Sequence, residues 1–195
     1  MDRHQFLFQL QQKGLTGEWL PFQQSKYIQN ILHGGIPTRS RLSEGVCHAL
    51  CLYVLKKWMA NGIKVDPIGE LDRSTVAESI VEQSDAGQDI AIFKQMMSIA
   101  GRRPKEERYF LNYKEAVEYT TDKGFCLMVQ GGIMPGRDGH TIICNGKQGA
   151  IFDPNVGYIK SNSTSNYTWA FLSVYRTFYT DYVSHNKAVQ IFHFV

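Results

Sequence analysis

The chain lacks what would place it in a membrane, a fibre or a disulfide scaffold. No stretch of its 195 residues approaches the roughly 20 consecutive apolar positions of a membrane-spanning helix. The opening segment, residues 1–15, sets Asp2, Arg3, His4, glutamines and Lys13 among its apolar residues, so the uninterrupted apolar centre of a Sec signal peptide is missing. Proline is scarce, with 6 residues, and no Pro/Gly/Ser tract or fixed-period repeat occurs, which excludes linker-rich and solenoid readings. The 4 cysteines, at positions 47, 51, 126 and 144, lie in apolar stretches far too sparsely for a secreted disulfide framework. They read as free thiols of a reducing compartment.

Charge of one sign is also wanting. The 21 basic and 18 acidic side chains leave a net charge of only +3. The tightest basic cluster, Arg102, Arg103, Lys105 and Arg108, is interleaved with Glu106 and Glu107 and reads as a solvated surface turn rather than a nucleic-acid footprint. What is present is an ordinary globular composition, 43% hydrophobic and 20% charged, at a length that suits one domain with its own core. The expectation is therefore a single domain over residues 1–195, with 1–44 as a helical and loop extension at its start. It is expected to be monomeric, without a nucleic-acid partner, stable membrane insertion, metal or cofactor.

Periodicity divides the chain into two halves. Residues 3–13 and 22–33 carry patchy helical spacing and stop at Gly14 and Gly34, and 34–43 reads as a loop. From Gly45 the pattern sharpens: Val46, Leu50, Cys51, Val54, Leu55, Trp58 and Met59 recur at spacings of three and four until Asn61-Gly62. So broad an apolar face predicts a central helix packed on a sheet, with Cys47 at its amino-terminal end. Thr75 with Glu78, and Asn112 with Glu115, have capping-box spacing and predict helix starts near 76 and 113, with a further helix over 90–100. After Gly124 the runs 125–130, 141–144, 150–152, 157–160 and 189–194 are short and rich in Ile, Val, Phe and Tyr between turn residues, as strands are. One more helix is predicted over 167–178. A helical half followed by a stranded half implies an α+β domain with an antiparallel sheet.

Two segments carry chemistry. In Ser43-Glu44-Gly45-Val46-Cys47-His48 a cysteine stands where a loop becomes a buried helix. The helix dipole and the unbonded N–H groups of the first turn favour a thiolate there, and the same N–H groups can hold an oxyanion. In Asp138-Gly139-His140-Thr141-Ile142-Ile143-Cys144, followed after Asn145-Gly146-Lys147-Gln148 by Gly149-Ala150-Ile151-Phe152-Asp153-Pro154-Asn155, the reading is strand, turn, strand. If 145–148 is the loop, Cys144 pairs with Gly149 and His140 stands opposite Asp153, close enough for the carboxylate to accept the Nδ1 hydrogen and leave Nε2 as a base. A two-residue Asn145-Gly146 turn would instead oppose His140 to Ile151. His48 points about 100° away from Cys47 round the helix and is a poor base. Cys47, Cys51 and His48 lack zinc spacing, and Gly131, Gly132, Gly136 and Gly139 lack phosphate-loop spacing, suiting instead a loop that approaches substrate.

Gly-Val-Cys-His-Ala-Leu opening a helix, Gly-His-Thr-Ile-Ile, and Phe-Asp-Pro-Asn-Val-Gly together resemble the YopT and AvrPphB family of bacterial effector cysteine proteases. The resemblance implies a papain-like fold, with Cys47 as nucleophile, His140 as base and Asp153 as third member. It also implies secretion by a bacterial system without a Sec signal and action in the host cytoplasm on a host protein, such as a small GTPase or kinase. The chain departs from papain-like enzymes in placing Arg41 and Leu42 where an Asn or Gln usually donates to the oxyanion; Gln23, Gln24 or Ser43 are the substitutes, with Gly139 lining the site. Three functions follow: a thiol protease first, a glutamine deamidase or acyl-transfer enzyme on the same scaffold second, and an inactive binding module third. The aromatic segment Tyr167, Trp169, Phe171, Tyr175, Phe178, Tyr179 and Tyr182 is expected to be mostly core, any exposed part being a recognition surface.

Overall fold

The computed structural model describes residues 17–27, 47–63, 103–130, 140–163, 166–178 and 188–195, with positions 5, 8, 9 and 12. The predicted central helix is α1, Cys47–Asn61, and every residue from His48 to Leu55 is buried. Its first two turns are thus enclosed all round, and the Gly62 N–H closes the last turn on the Trp58 carbonyl at 2.9 Å. Strands β1 (Gly17–Pro21), β2 (Glu106–Phe110), β3 (Phe125–Gln130), β4 (His140–Asn145), β5 (Ala150–Asp153), β6 (Gly157–Ser161) and β7 (Val189–Phe194) form one sheet. Their order is β1-β6-β5-β4-β3-β7-β2, and every pairing is antiparallel. Two further helices are α2 (Tyr113–Thr120) and α3 (Tyr167–Phe178).

Side-chain alternation along the strands builds two cores, one per sheet face. Leu127, Val129, Ile143, Phe152 and Phe192 pack with Leu50, Val54, Leu55 and Trp58 of α1. Met128, Ile142, Ile151, Val189 and Ile191 pack on the other face with Val117 of α2 and Phe171 of α3. The sheet is therefore covered on both sides, which is why β3 and β4 read as nearly continuous apolar runs.

All five predicted strands form, and α2 starts where expected, its Asn112 cap accepting the Lys114 N–H at 2.9 Å. Both edge strands escaped the sequence reading. The charged cluster around Glu106 is not a turn: Glu106, Glu107 and Arg108 belong to β2, an edge whose charges discourage further strand pairing. The opposite edge, β1, ends in Pro21, which an edge tolerates because one of its rims needs no N–H donor. Of the 22–33 region, residues 24–27 are helical; the helices predicted near 76 and over 90–100 lie outside the described residues. In the aromatic segment Tyr167 and Phe171 are core, whereas Trp169 is 54% exposed.

Candidate active site

Cys47 is the first residue of α1 and half-buried, so its own N–H lies among those that no helical carbonyl can reach. One turn later the fully buried Cys51 Sγ donates to the Thr141 carbonyl at 3.2 Å, laying the start of α1 against the start of β4. That contact brings Cys47 to the residue before Thr141. The Cys47 sulfur lies within the electrostatic reach of the His140 imidazole and of Thr141. On its other side His140 Nε2 lies 2.9 Å from Asp153 Oδ1, with both residues buried.

The strand register differs from both sequence readings. Asn145 pairs with Ala150, Cys144 with Ile151 and Ile143 with Phe152. The loop begins one residue later than expected because Gly146–Gln148 winds into a 3-10 turn capped by Asn145, whose Oδ1 accepts the Gln148 N–H at 3.1 Å. Gly149 then reverses the chain at φ 63°, a left-handed conformation that suits glycine. Continuing this register puts Asp153 beside Ile142 and His140 diagonally across, on the same face. A diagonal partner is farther off than an opposed one. The reach is made by the ring nitrogen most distant from the backbone, so Nε2, not Nδ1, meets the carboxylate. Nδ1 is then the nitrogen left for Cys47, the reverse of the ring orientation expected.

The loop bearing the carboxylate is held from two directions. Asp153 Oδ1 also accepts the Asn155 N–H at 2.7 Å, and the Val156 N–H closes a turn on the Asp153 carbonyl at 3.0 Å. From the β1 side, Trp19 Nε1 donates to the Val156 carbonyl at 3.1 Å and the Gln24 N–H to the Pro154 carbonyl at 2.7 Å. Gln24 Nε2 donates to Asn155 Oδ1 at 2.6 Å. Gln24 thus stands beside the Asp153 loop, while Ser43 and Gly139 lie outside the described residues. Thr141, Asn155 and Gln130, the residue paired with His140 on β3, are neighbours the sequence reading passed over. Asn155, as part of Asp-Pro-Asn, and Thr141, as part of Gly-His-Thr-Ile-Ile, stood within motifs but were given no role.

Electrostatics favour an ion pair. Burial opposes charge on His140, but the Asp153 carboxylate and then the Cys47 sulfur outweigh it and raise the imidazole to about 10. Burial likewise pushes the Cys47 thiol up, yet the hydrogen bond and charge of His140, with bonds from Thr141, bring it below its ordinary value. Cys51 is raised well above the thiol range by burial and by its neighbours Cys47 and Asp153, and stays protonated. The arrangement favours a thiolate beside an imidazolium. Among the described residues no group of three or more His, Cys, Asp or Glu is placed to hold a metal ion.

The crystal structure of the Pseudomonas avirulence protein AvrPphB matches this chain with a TM-score of 0.54, over 83% of this chain and 97% of that one, at 17% sequence identity. The chain has the AvrPphB fold. The papain-like α+β class expected from the sequence is thus the class observed, with the helix of Cys47 packed on an antiparallel sheet. At that identity the likeness to AvrPphB is one of fold. No family model and no curated protein sequence matches the chain.

Proposed function

We propose that the chain is a cysteine protease of the bacterial effector kind, acting in the host cytoplasm on a host protein through Cys47, His140 and Asp153. The observation that carries this reading is a single buried imidazole 2.9 Å from a carboxylate and acting electrostatically on a cysteine at a helix amino terminus. In this mechanism the Cys47 thiolate attacks a peptide carbonyl and forms the carbon–sulfur bond, while the carbonyl oxygen takes the negative charge. The Cys47 N–H donates to that oxyanion, with Ser43, Gln24 or Gly139 as the second donor. His140 gives its proton to the leaving amine as the carbon–nitrogen bond breaks, then takes a proton from water as water attacks the thioester and releases Cys47. Asp153 holds the ring and offsets its positive charge throughout.

Mass spectrometry of a host-cell lysate treated with the protein tests this. New peptide amino termini are expected with the wild type and not with Cys47→Ala. Conversion of glutamine to glutamate without chain cleavage would replace proteolysis with deamidation on the same scaffold. No Cys47-dependent change of either kind would remove the enzymatic reading.

A further inference from the structure

Gln130 closes β3 and is paired directly with His140 across the β3–β4 ladder and with Val189 on its other side. Directly paired side chains leave the sheet on the same face with Cβ atoms about 5 Å apart, so Gln130 and His140 project from the sheet side by side. Gln130 is 1% exposed, and among the described residues neither its Oε1 nor its Nε2 meets a hydrogen-bond partner. An amide in that condition has lost its water and gained nothing for it. Its neighbours on that face, Met128, Ile142 and Val189, show that an aliphatic side chain suits the surroundings. A buried polar group left unsatisfied beside reacting groups is accounted for if its partners arrive with the ligand.

We propose that Gln130 is a substrate-binding residue whose carboxamide pairs with the main chain of an extended peptide lying against His140, Nε2 donating to a carbonyl oxygen and Oε1 accepting an N–H. In an extended chain the N–H and C=O of one residue point the same way, as they do in an antiparallel ladder. One carboxamide, carrying a donor and an acceptor side by side, matches that pair. An acyl compound without an N–H leaves half of it unmet. The inference rests on Cys47 and His140 being nucleophile and base, and it names what they are presented with: peptide main chain in extended form.

The test compares two reagents for Cys47 at neutral pH, in the wild type and in Gln130→Met, which keeps the volume and removes both polar atoms. A blocked dipeptidyl chloromethyl ketone carries main-chain amides, whereas methyl methanethiosulfonate carries none. The variant is expected to slow the peptidyl reagent about tenfold, the loss of one or two hydrogen bonds. Its rate with the amide-free reagent should equal that of the wild type, and its melting temperature should hold or rise. Equal slowing of both reagents, slowing of neither, or a lower melting temperature would each overturn the proposal. If Cys47 of the wild type reacts no faster than an ordinary thiol, the nucleophile assignment fails and this inference falls with it.

Discussion

His140 works between two partners, and the balance between them sets the pH range of the proposed chemistry. Burial acts against its charge, so the imidazolium persists to about 10 only because Asp153 and Cys47 stand against it. Cys47, in turn, is lowered by that same ring after burial has raised it. The thiolate is therefore present above the lowered thiol value and lost as pH falls through it, whereas the imidazolium is present below about 10 and lost as pH rises through that value. Peptide cleavage should accordingly rise as pH climbs through the lowered thiol value and decline as pH rises through about 10, in a profile of turnover against pH. His140→Ala removes the larger lowering influence and leaves burial opposed only by Thr141, so alkylation of Cys47 by iodoacetamide at pH 7 should slow at least about tenfold. Unchanged alkylation in that variant would mean that the helix terminus, not the ring, activates the sulfur.

At the level of elements, the hairpin and the loop after it determine where the carboxylate sits. Gly157 has φ 120°, and a Cβ there would run into the Leu20 carbonyl and approach the Phe22 nitrogen at 2.7 Å and the Pro21 Cα at 2.9 Å. The close approach of β1 to β6 beside the Asp153 loop depends on that missing side chain. Gly157→Ala should cost at least about 2 kcal/mol, or about 4–8 °C in melting temperature for a chain of this size. Gly149→Ala meets only the strain of φ 63° and a contact with the Ser161 Cβ at 3.3 Å, and should cost about 1 kcal/mol. Urea unfolding of the two variants checks the order; an equal loss would show that β1 yields to make room. The one-residue shift of this hairpin was not legible beforehand, because Asn145 can open a tight turn or cap a 3-10 turn, and local chemistry permits both.

Over the whole molecule, β4 lies fourth of seven strands and carries His140, with β1 and β2 at the edges. Amides of β3 and β4, flanked on both sides and covered on both faces, should exchange with solvent only on global unfolding, and those of β1 and β2 sooner. Hydrogen-exchange mass spectrometry reads this directly; edge strands as slow as β4 would mean that something else covers them. The sequence by itself determined the α+β class, α1 and the interior strands, since burial on one or both faces leaves periods of 3.6 and 2 or unbroken apolar runs. It also nominated Cys47, His140 and Asp153, because a cysteine opening a helix and a histidine and aspartate on one hairpin are local patterns. The tertiary structure alone decided the edge strands: the charges of β2 read as a surface turn and β1 carried no strand reading, because an edge strand has one rim in solvent. It alone decided the register, the nitrogen that meets Asp153 and the place of Gln130 beside His140. Those depend on distances between segments remote in sequence, and such distances are set by packing α1 and the strands together rather than by any residue's own preference.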